Sequence, residues 1–372
     1  MNQKSLQCAL VRGGTSKGLF ILEENLPAED TDEALLSVFG SPDARQIDGI
    51  GGATTTTSKL VIVRPSARPE IDISYTFGQV SIEDEGIDYG GNCGNMASGV
   101  GPFAVDEGLV NPTATDEEIT IRLYNTNTES TLDQKIPLSD GTTATKGDYR
   151  IDGVPGTGPR IETTFHNPGG ALTGELFPLG GPRTELSIDG RTIEVSVVDV
   201  TTPVVFVRAS TLGLNGTEHP SEVTTQEGLM ELIERIRGEV CVRLGFVDNP
   251  SESMSASPNE PKLAFVRSPT TYRATDGSRV TADEIDLVSR VTSIPVMHPT
   301  YAVTSACCTA AAVNLSGTIP YEVAAKNADT VTFGHPKGKM SVRAAVDEYR
   351  PQVNSVTVGR TQRRLMEGVA YY

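Results

Sequence analysis

One cysteine of this chain sits in a stretch suited to exposed backbone rather than to packing: Asp88-Tyr89-Gly90-Gly91-Asn92-Cys93-Gly94-Asn95. Gly90, Gly91 and Gly94 allow close backbone approach, and Asn92 or Asn95 can cap a helix that follows. Unpaired N–H groups at a helix entry make an anion site, and the helix dipole there lowers the pKa of a thiol. A lone cysteine is most often a small core hydrophobe. Here its neighbours are Asn and Gly rather than Leu and Val, which points to a reactive thiol. A second group lies upstream. Lys59 opens the apolar run Leu60-Val61-Ile62-Val63, just after four consecutive threonines. A lysine partly desolvated at a strand end has a lowered pKa and can accept a proton near neutral pH. From the strand alone, a lysine that snorkels to water is the commoner outcome.

The elements that must hold these residues are legible in outline. Leu6 to Val11 and Gly18 to Leu22 read as strands around the turn at Gly13 to Ser16. Lys59 to Val63 and Ile71 to Phe77 read as two more, from their β-branched and aromatic content. Met96 to Glu107 is expected as a helix rich in small residues, although Pro102 argues for a kink or stop. The second half repeats this order. Val195 to Val207 resembles the strand-turn-strand around Gly13 to Phe20, and Ser305 to Val313 echoes Asn92 to Val100. One amphipathic helix interrupts it, with Leu229, Leu232, Ile233, Ile236 and Val240 at helical spacing and a capping-box pattern at Thr224 and Glu227. Cys241 extends that stripe and, like Cys8 in its strand, is expected in the core. Gly141 to Pro159 reads as a loose surface loop.

Several ordered motifs together resemble the PrpF family of the diaminopimelate-epimerase-like fold. They are Gly13-Gly14-Thr15-Ser16-Lys17-Gly18, Thr57-Ser58-Lys59, Gly91 to Asn95, Phe165 to Ala171, Val198 to Pro203, Gly334 to Gly338, and Arg360 to Gly368. They cover essentially the whole chain. The family includes 2-methylaconitate cis-trans isomerase, methylitaconate Δ-isomerase and 4-oxalomesaconate tautomerase. The resemblance implies an α+β protein of two pseudo-symmetric domains, each curling a sheet around a central helix, with a cleft between them. It implies that a lysine and a cysteine, separated as Lys59 and Cys93 are, carry the chemistry. The expected domains are residues 1–182 and 183–345, with 346–372 returning to the first. The turn cluster Gly180-Gly181-Pro182-Arg183 marks the boundary.

Such an isomerase removes a proton from carbon, stabilises the enolate-like charge with oriented N–H donors, and returns a proton elsewhere. Lys59 and Cys93 are the expected proton-transfer groups. Arg12, Thr15, Ser16, Lys17, Gly91, Asn92, Gly94 and Asn95 are expected to bind substrate carboxylates, and Ser305, His335 and Lys337 to add contacts from the second half. Lys337 departs from the family pattern, which carries a serine between the proline and the glycine. An added cation there suits a further carboxylate, whereas a solvated loop lysine explains it equally. The duplication points to Cys307 or Cys308 as a second facing thiol, the arrangement of the two-cysteine epimerases of this fold. In PrpF-type members that cysteine is generally not kept as an acid, and small residues around it suit helix packing.

Composition bounds the partners. At 372 residues with 37% hydrophobic and 21% charged residues, the chain is long enough for two globular domains. A net charge of −17 excludes nucleic acid as an expected partner, and a locally positive pocket is needed to receive an anion. Four scattered histidines, no HxxxH or CxxC, and no phosphate-binding GxxxxGK[ST] leave no expected metal or cofactor. No membrane-spanning run or signal-peptide pattern is seen, and five cysteines without a framework suit a reducing compartment, so a cytoplasmic protein, possible as a homodimer, is expected. Two other readings stay open: an amino-acid epimerase of the same fold, and a catalytically silent metabolite-binding protein.

Overall fold

The computed structural model describes residues 3–293, 296–325, 328–347 and 349–372. The chain divides into two compact units, Met1–Thr164 with Gly359–Tyr372, and Phe165–Val358.

In the first unit β1 (Ser5–Gly13) and β2 (Ser16–Leu22) form an antiparallel hairpin, and β1 also pairs with the C-terminal strand Gln362–Tyr371. After helix α1 (Thr31–Phe39), β3 (Lys59–Pro65) joins β2 in parallel and β4 (Ile73–Val80) joins β3 antiparallel. The far edge of β4 is shared. The short β5 (Ile87–Asp88) pairs with it at Gln79 and Val80, while β6 (Glu118–Asn125) runs parallel to it from Ile73 to Tyr75, followed antiparallel by β7 (Ser130–Ser139). The strands at 5–13, 16–22 and 59–65 contain the expected 6–11, 18–22 and 59–63, because β-branched residues suit a pleated, buried surface, and hairpin pairing extends the first two into Gly13 and Ser16. Leu19, Ile21, Leu60 and Ile62 pack with Leu35, Val38 and Phe39 of α1, each such side chain contributing roughly 1.5–3 kcal/mol by leaving water.

The central helix is not continuous over Met96 to Glu107. It forms as α2 (Gly94–Ala97) and α3 (Val100–Asp106), both buried. The cause is a side-chain amide set into the helical ladder. Gln134 Oε1 accepts the Gly101 N–H at 2.9 Å, and Gln134 Nε2 donates to the Ala97 carbonyl at 2.8 Å, the two groups that would otherwise pair with each other. Pro102, next in line, has no N–H to offer.

The second unit repeats the order of strand pairings. Arg191–Val200 and Thr202–Arg208 form a hairpin, Thr202–Arg208 runs parallel to Lys262–Arg267, and that strand is antiparallel to Leu287–Ser293. Leu287–Ser293 is parallel to Thr330–His335, which is antiparallel to Gly338–Val346. The alternation matches β1 through β7 step for step. Helix Val303–Asn314 is its central helix, buried from Val303 through Val313. Helix Leu229–Arg243 packs Leu229, Ile233, Ile236 and Val240 against Leu186, Val195, Val197, Val205, Val207, Leu263 and Phe265. That helix starts after Gly228, whose φ of 73° interrupts the preceding helical turn. Thr224 therefore does not cap it; its hydroxyl accepts the Met297 N–H, and the capping box lies at His219 and Glu222. Cys241 and Cys8 are core residues, as expected.

The division between units differs from the turn-based expectation of 182 and 345. Residues 168–176 are held by Asp199 of the second sheet, whose carboxylate accepts the N–H groups of Leu172 and Thr173 while its carbonyl accepts that of Gly170. A turn cluster marks a loop; the hydrogen bonds decide to which core the loop belongs. Likewise Val346 and Val353 still pair within the second sheet, so the return to the first unit starts at Gly359.

Candidate active site

Cys93 is the residue before α2, with extended backbone (φ −121°, ψ 101°), and its carbonyl accepts the first helical bond from Ala97 N–H. It is half-exposed, whereas the other four cysteines are buried. Asn92 beside it accepts a hydrogen bond from the Tyr75 hydroxyl at 3.2 Å. Tyr75 is buried, and burial pushes its phenol well above the usual range, so it stays a neutral donor to Asn92. Gly90 closes a turn by donating its N–H to Asp88.

The Gly13 to Gly18 turn is fastened directly to this helix entry. Asn95 Oδ1 accepts the Thr15 N–H at 3.3 Å, and Asn95 Nδ2 donates to the Thr15 hydroxyl at 3.1 Å. The approach is so close that a Cβ on Gly13 would lie 2.3 Å from the Asn95 carbonyl oxygen, and one on Gly14 (φ +51°) 2.0 Å from Asn95 Oδ1. Only glycine satisfies both. Arg12 donates from Nη1 to the carbonyls of Gly14 and Thr361, each at 2.9 Å. Burial, with help from the charge of Arg363, lowers its guanidinium from the ordinary arginine value. Ser16 is buried and the Lys17 N–H is taken by the Thr56 carbonyl at 3.0 Å.

Lys59 is 8% exposed at the start of β3, so it does not snorkel freely to water. Its ammonium donates to Gln79 Oε1 at 2.6 Å and lies over the Phe77 ring, 5.0 Å from the centroid. Gln79 is itself held by the Ser58 carbonyl at 3.0 Å. These two partners of Lys59 project from the same face of β4, and β4 pairs with β5 at Gln79 and Asp88, where the chain sets out toward Cys93. Upstream, Gln46 ties the 51–58 loop by accepting from Ala53 N–H and the Ser58 hydroxyl. Gly18 is packed equally tightly: a Cβ there would lie 2.3 Å from the Lys59 carbonyl oxygen and 2.9 Å from its Cβ. Gly18→Ala should therefore push β3 off β2 at the lysine, costing about 1–3 kcal/mol by overpacking and lowering kcat roughly 10- to 100-fold by misplacement. A melting curve with kcat measured on the same preparation checks this; wild-type kcat would show that the close approach does not matter.

Sequence reasoning missed Gln79, Phe77, Tyr75, Gln46 and the 125–128 turn. Each acts by hydrogen bonding or ring contact across long sequence separations, and nothing in its local spacing marks it.

The second unit holds none of this chemistry at the matching places. Strand Val296–Met297 pairs with Thr292 and Ser293 as β5 pairs with Gln79 and Val80. Counting from that pair, the counterpart of Cys93 is Ala302, which likewise precedes its helix with extended backbone. The counterpart of Lys59 is Leu263, whose N–H bonds to Thr292. The sequence echo that aligned Ser305 with Asn92 was out of register by one helical turn. Cys307 and Cys308 lie within the helix, fully buried, and burial raises the Cys308 thiol well above its ordinary value. Ser305 is buried in the first turn of that helix. His335 is 1% exposed, and its Nδ1 accepts the Lys337 N–H at 3.2 Å, so its ring shapes this turn. Among the described residues no group of three or more His, Cys, Asp or Glu side chains is placed to hold a metal ion, and no helix is long and apolar enough to cross a membrane.

The architecture defines the class. The crystal structure of a methylitaconate-delta-isomerase matches with a TM-score of 0.84 and 41% identity, over 100% of this chain and 96% of that one. A hydroxyproline epimerase from Agrobacterium vitis, at 12% identity, shares the fold with a TM-score of 0.57 over 99% and 92% of the two chains. This is the α+β, diaminopimelate-epimerase-like fold. The model of the PrpF family (PrpF protein) matches residues 3–372. The 3-methylitaconate isomerase of Eubacterium barkeri is 41% identical over 100% of this chain and 98% of its own length. The 4-oxalomesaconate tautomerase of Pseudomonas putida is 34% identical over 99% and 96%, and the 2-methyl-aconitate isomerase of Shewanella oneidensis 33% over 98% and 96%. The chain belongs to the PrpF family, and it is an isomerase.

Proposed function

We propose that this chain shifts a proton and a double bond in an unsaturated di- or tricarboxylate of the aconitate type, without metal or organic cofactor, using Lys59 and Cys93. The observation that carries this is the polar setting of those two residues in one unit, against Leu263 and Ala302 at the matching places of the other. One of the pair removes a proton from a carbon next to a carboxylate. The electrons move along the conjugated system, and the other returns a proton at the far end, or at the same end after rotation about the bond that has become single. The intermediate charge falls on a carboxylate. The N–H groups entering α2 at Gly94 and Asn95, with Gly91 and Asn92 before them, are the proposed backbone donors. The side chains of the Arg12 to Lys17 turn, whose Thr15 and Lys17 N–H groups are taken within the protein, are proposed to add contacts. Backbone donors of fixed orientation act there without reorganising. Gln79 and Phe77 hold the Lys59 amine against wandering, which limits the entropy lost on reaching the transition state.

The proposal rests on the first unit alone. A facing second thiol, which an epimerase of this fold would use, has no support where Ala302 stands. A cytoplasmic location belongs to the same reading. The test is proton NMR in deuterated buffer with 4-oxalomesaconate, 2-methylaconitate, 3-methylitaconate and aconitate, on protein dialysed exhaustively against a chelator. One of these acids is expected to take up solvent deuterium and isomerise. Failure with all four, or activity restored only by one divalent ion, overturns the proposal.

A further inference from the structure

The edge of β4 changes partner beneath the site. From Ile73 to Tyr75 it pairs with β6, and from Gln79 it pairs with β5. Phe77 lies in the gap between them. Its main chain is nonetheless fully bonded on that edge, because the side chain of Asn127 stands in for the missing strand. Asn127 Oδ1 accepts the Phe77 N–H at 2.8 Å, and Asn127 Nδ2 donates to the Phe77 carbonyl at 2.8 Å. The same Nδ2 donates its second hydrogen to the Tyr89 carbonyl, also at 2.8 Å. One amide thus clamps the residue whose ring lies under the Lys59 ammonium to the residue at which the Cys93 loop begins.

The amide is itself fixed. Asn125 Nδ2 donates to Asn127 Oδ1 at 3.1 Å, and Asn125, wholly buried, takes the Thr128 N–H and hydroxyl on its own Oδ1. Thr126 N–H bonds the Tyr75 carbonyl, and the Tyr75 hydroxyl reaches Asn92. Between Tyr89 and Cys93 the chain runs through Gly90 and Gly91, which hold no conformation by themselves. The Tyr89 anchor therefore sets where the thiol-bearing turn starts.

We infer that Asn127 is a positioning residue, which fixes the separation of Lys59 and Cys93 by bonding Phe77 and Tyr89 at once. The inference rests on the Lys59 and Cys93 reading and adds a residue that touches neither. The test uses Asn127→Leu, which removes the three bonds to Phe77 and Tyr89 together with the one from Asn125, and Asn127→Asp, which keeps the shape and the acceptor for Phe77 N–H but sets an oxygen against two carbonyls. The second variant decides the matter if the first fails to fold. Rates are expressed per folded molecule, from circular dichroism and melting curves.

With the acid that exchanges deuterium as substrate, kcat should fall about 10- to 100-fold in both variants while KM moves less than kcat, because the donors at Gly94 and Asn95 stay fastened to Thr15 through the Asn95 amide and only those at Gly91 and Asn92 shift with Tyr89. Alkylation of Cys93 by iodoacetamide, which needs no substrate, should change in rate by about threefold or more. A residue that merely stabilises the hairpin would lower the melting temperature and leave both rates per folded molecule alone, and that result overturns the inference. Lys59→Ala and Cys93→Ala run alongside. If they lose turnover while the Asn127 variants keep it, only the positioning role falls; if they keep turnover, the underlying reading falls first.

Discussion

Lys59→Ala and Cys93→Ala should each lower turnover by roughly 10²–10⁴-fold, the span that a positioned acid or base contributes, with circular dichroism unchanged. Lys59 is nearly buried, and among the groups that hold its amine are the Gln79 amide oxygen and the Phe77 ring face. The alanine variant removes the amine and leaves Gln79 bonded to Ser58, so the strand pairing around it survives. Cys93 is half-exposed at the start of α2, so alanine there removes little buried surface. Cys93→Ser should retain part of the activity, since a hydroxyl at the same place can still pass a proton. Two alanine variants with wild-type turnover would remove the assignment.

Brief labelling with limiting iodoacetamide at about pH 7.5 should modify Cys93 about 100-fold faster than any other cysteine. The thiolate is the reacting form, so a raised thiol pKa slows alkylation at fixed pH. Burial raises the thiols of Cys8 and Cys308, and pushes that of Cys241 up to about 11. Cys307 and Cys308 are also closed to reagent, being wholly buried along the second unit's central helix. A polycarboxylate such as aconitate should protect Cys93, because its carboxylates would take the N–H groups at the start of α2. Mass mapping of the labelled peptides reads the order. Should Cys307 or Cys308 react first and be the one protected, the two-thiol epimerase chemistry becomes the better account and Lys59 loses its partner.

The differences between sequence and structure have particular causes. Residue type and short-range spacing carry the reactive candidates. A cysteine among Gly and Asn, a lysine at the head of an apolar strand, and glycines at a hairpin turn each state their chemistry within a short stretch of chain. The repeated order of motifs states the duplication and the family. The register of the duplication does not show, since runs of small residues in Ser305 to Val313 resemble Asn92 to Val100 at more than one offset. Only strand pairing through Val296 and Met297 resolves it, and it moves the counterpart of Cys93 from Cys307 or Cys308 to Ala302.

What the sequence determined by itself, then, was which side-chain types could transfer a proton, strands at 6–11, 18–22 and 59–63 that lie inside the observed 5–13, 16–22 and 59–65, and the kinship of the two halves. The tertiary structure decided how those groups are held. Gln134 divides the central helix, Asn95 meets the backbone of Gly13 and Gly14, Gln79 and Phe77 hold Lys59, and Asn127 joins Phe77 to Tyr89. Side-chain amides take this part because one amide can both donate and accept, and so can replace a missing stretch of backbone. The need for such a replacement arises only where strands part or a helix breaks, and those gaps exist only once the chain has folded.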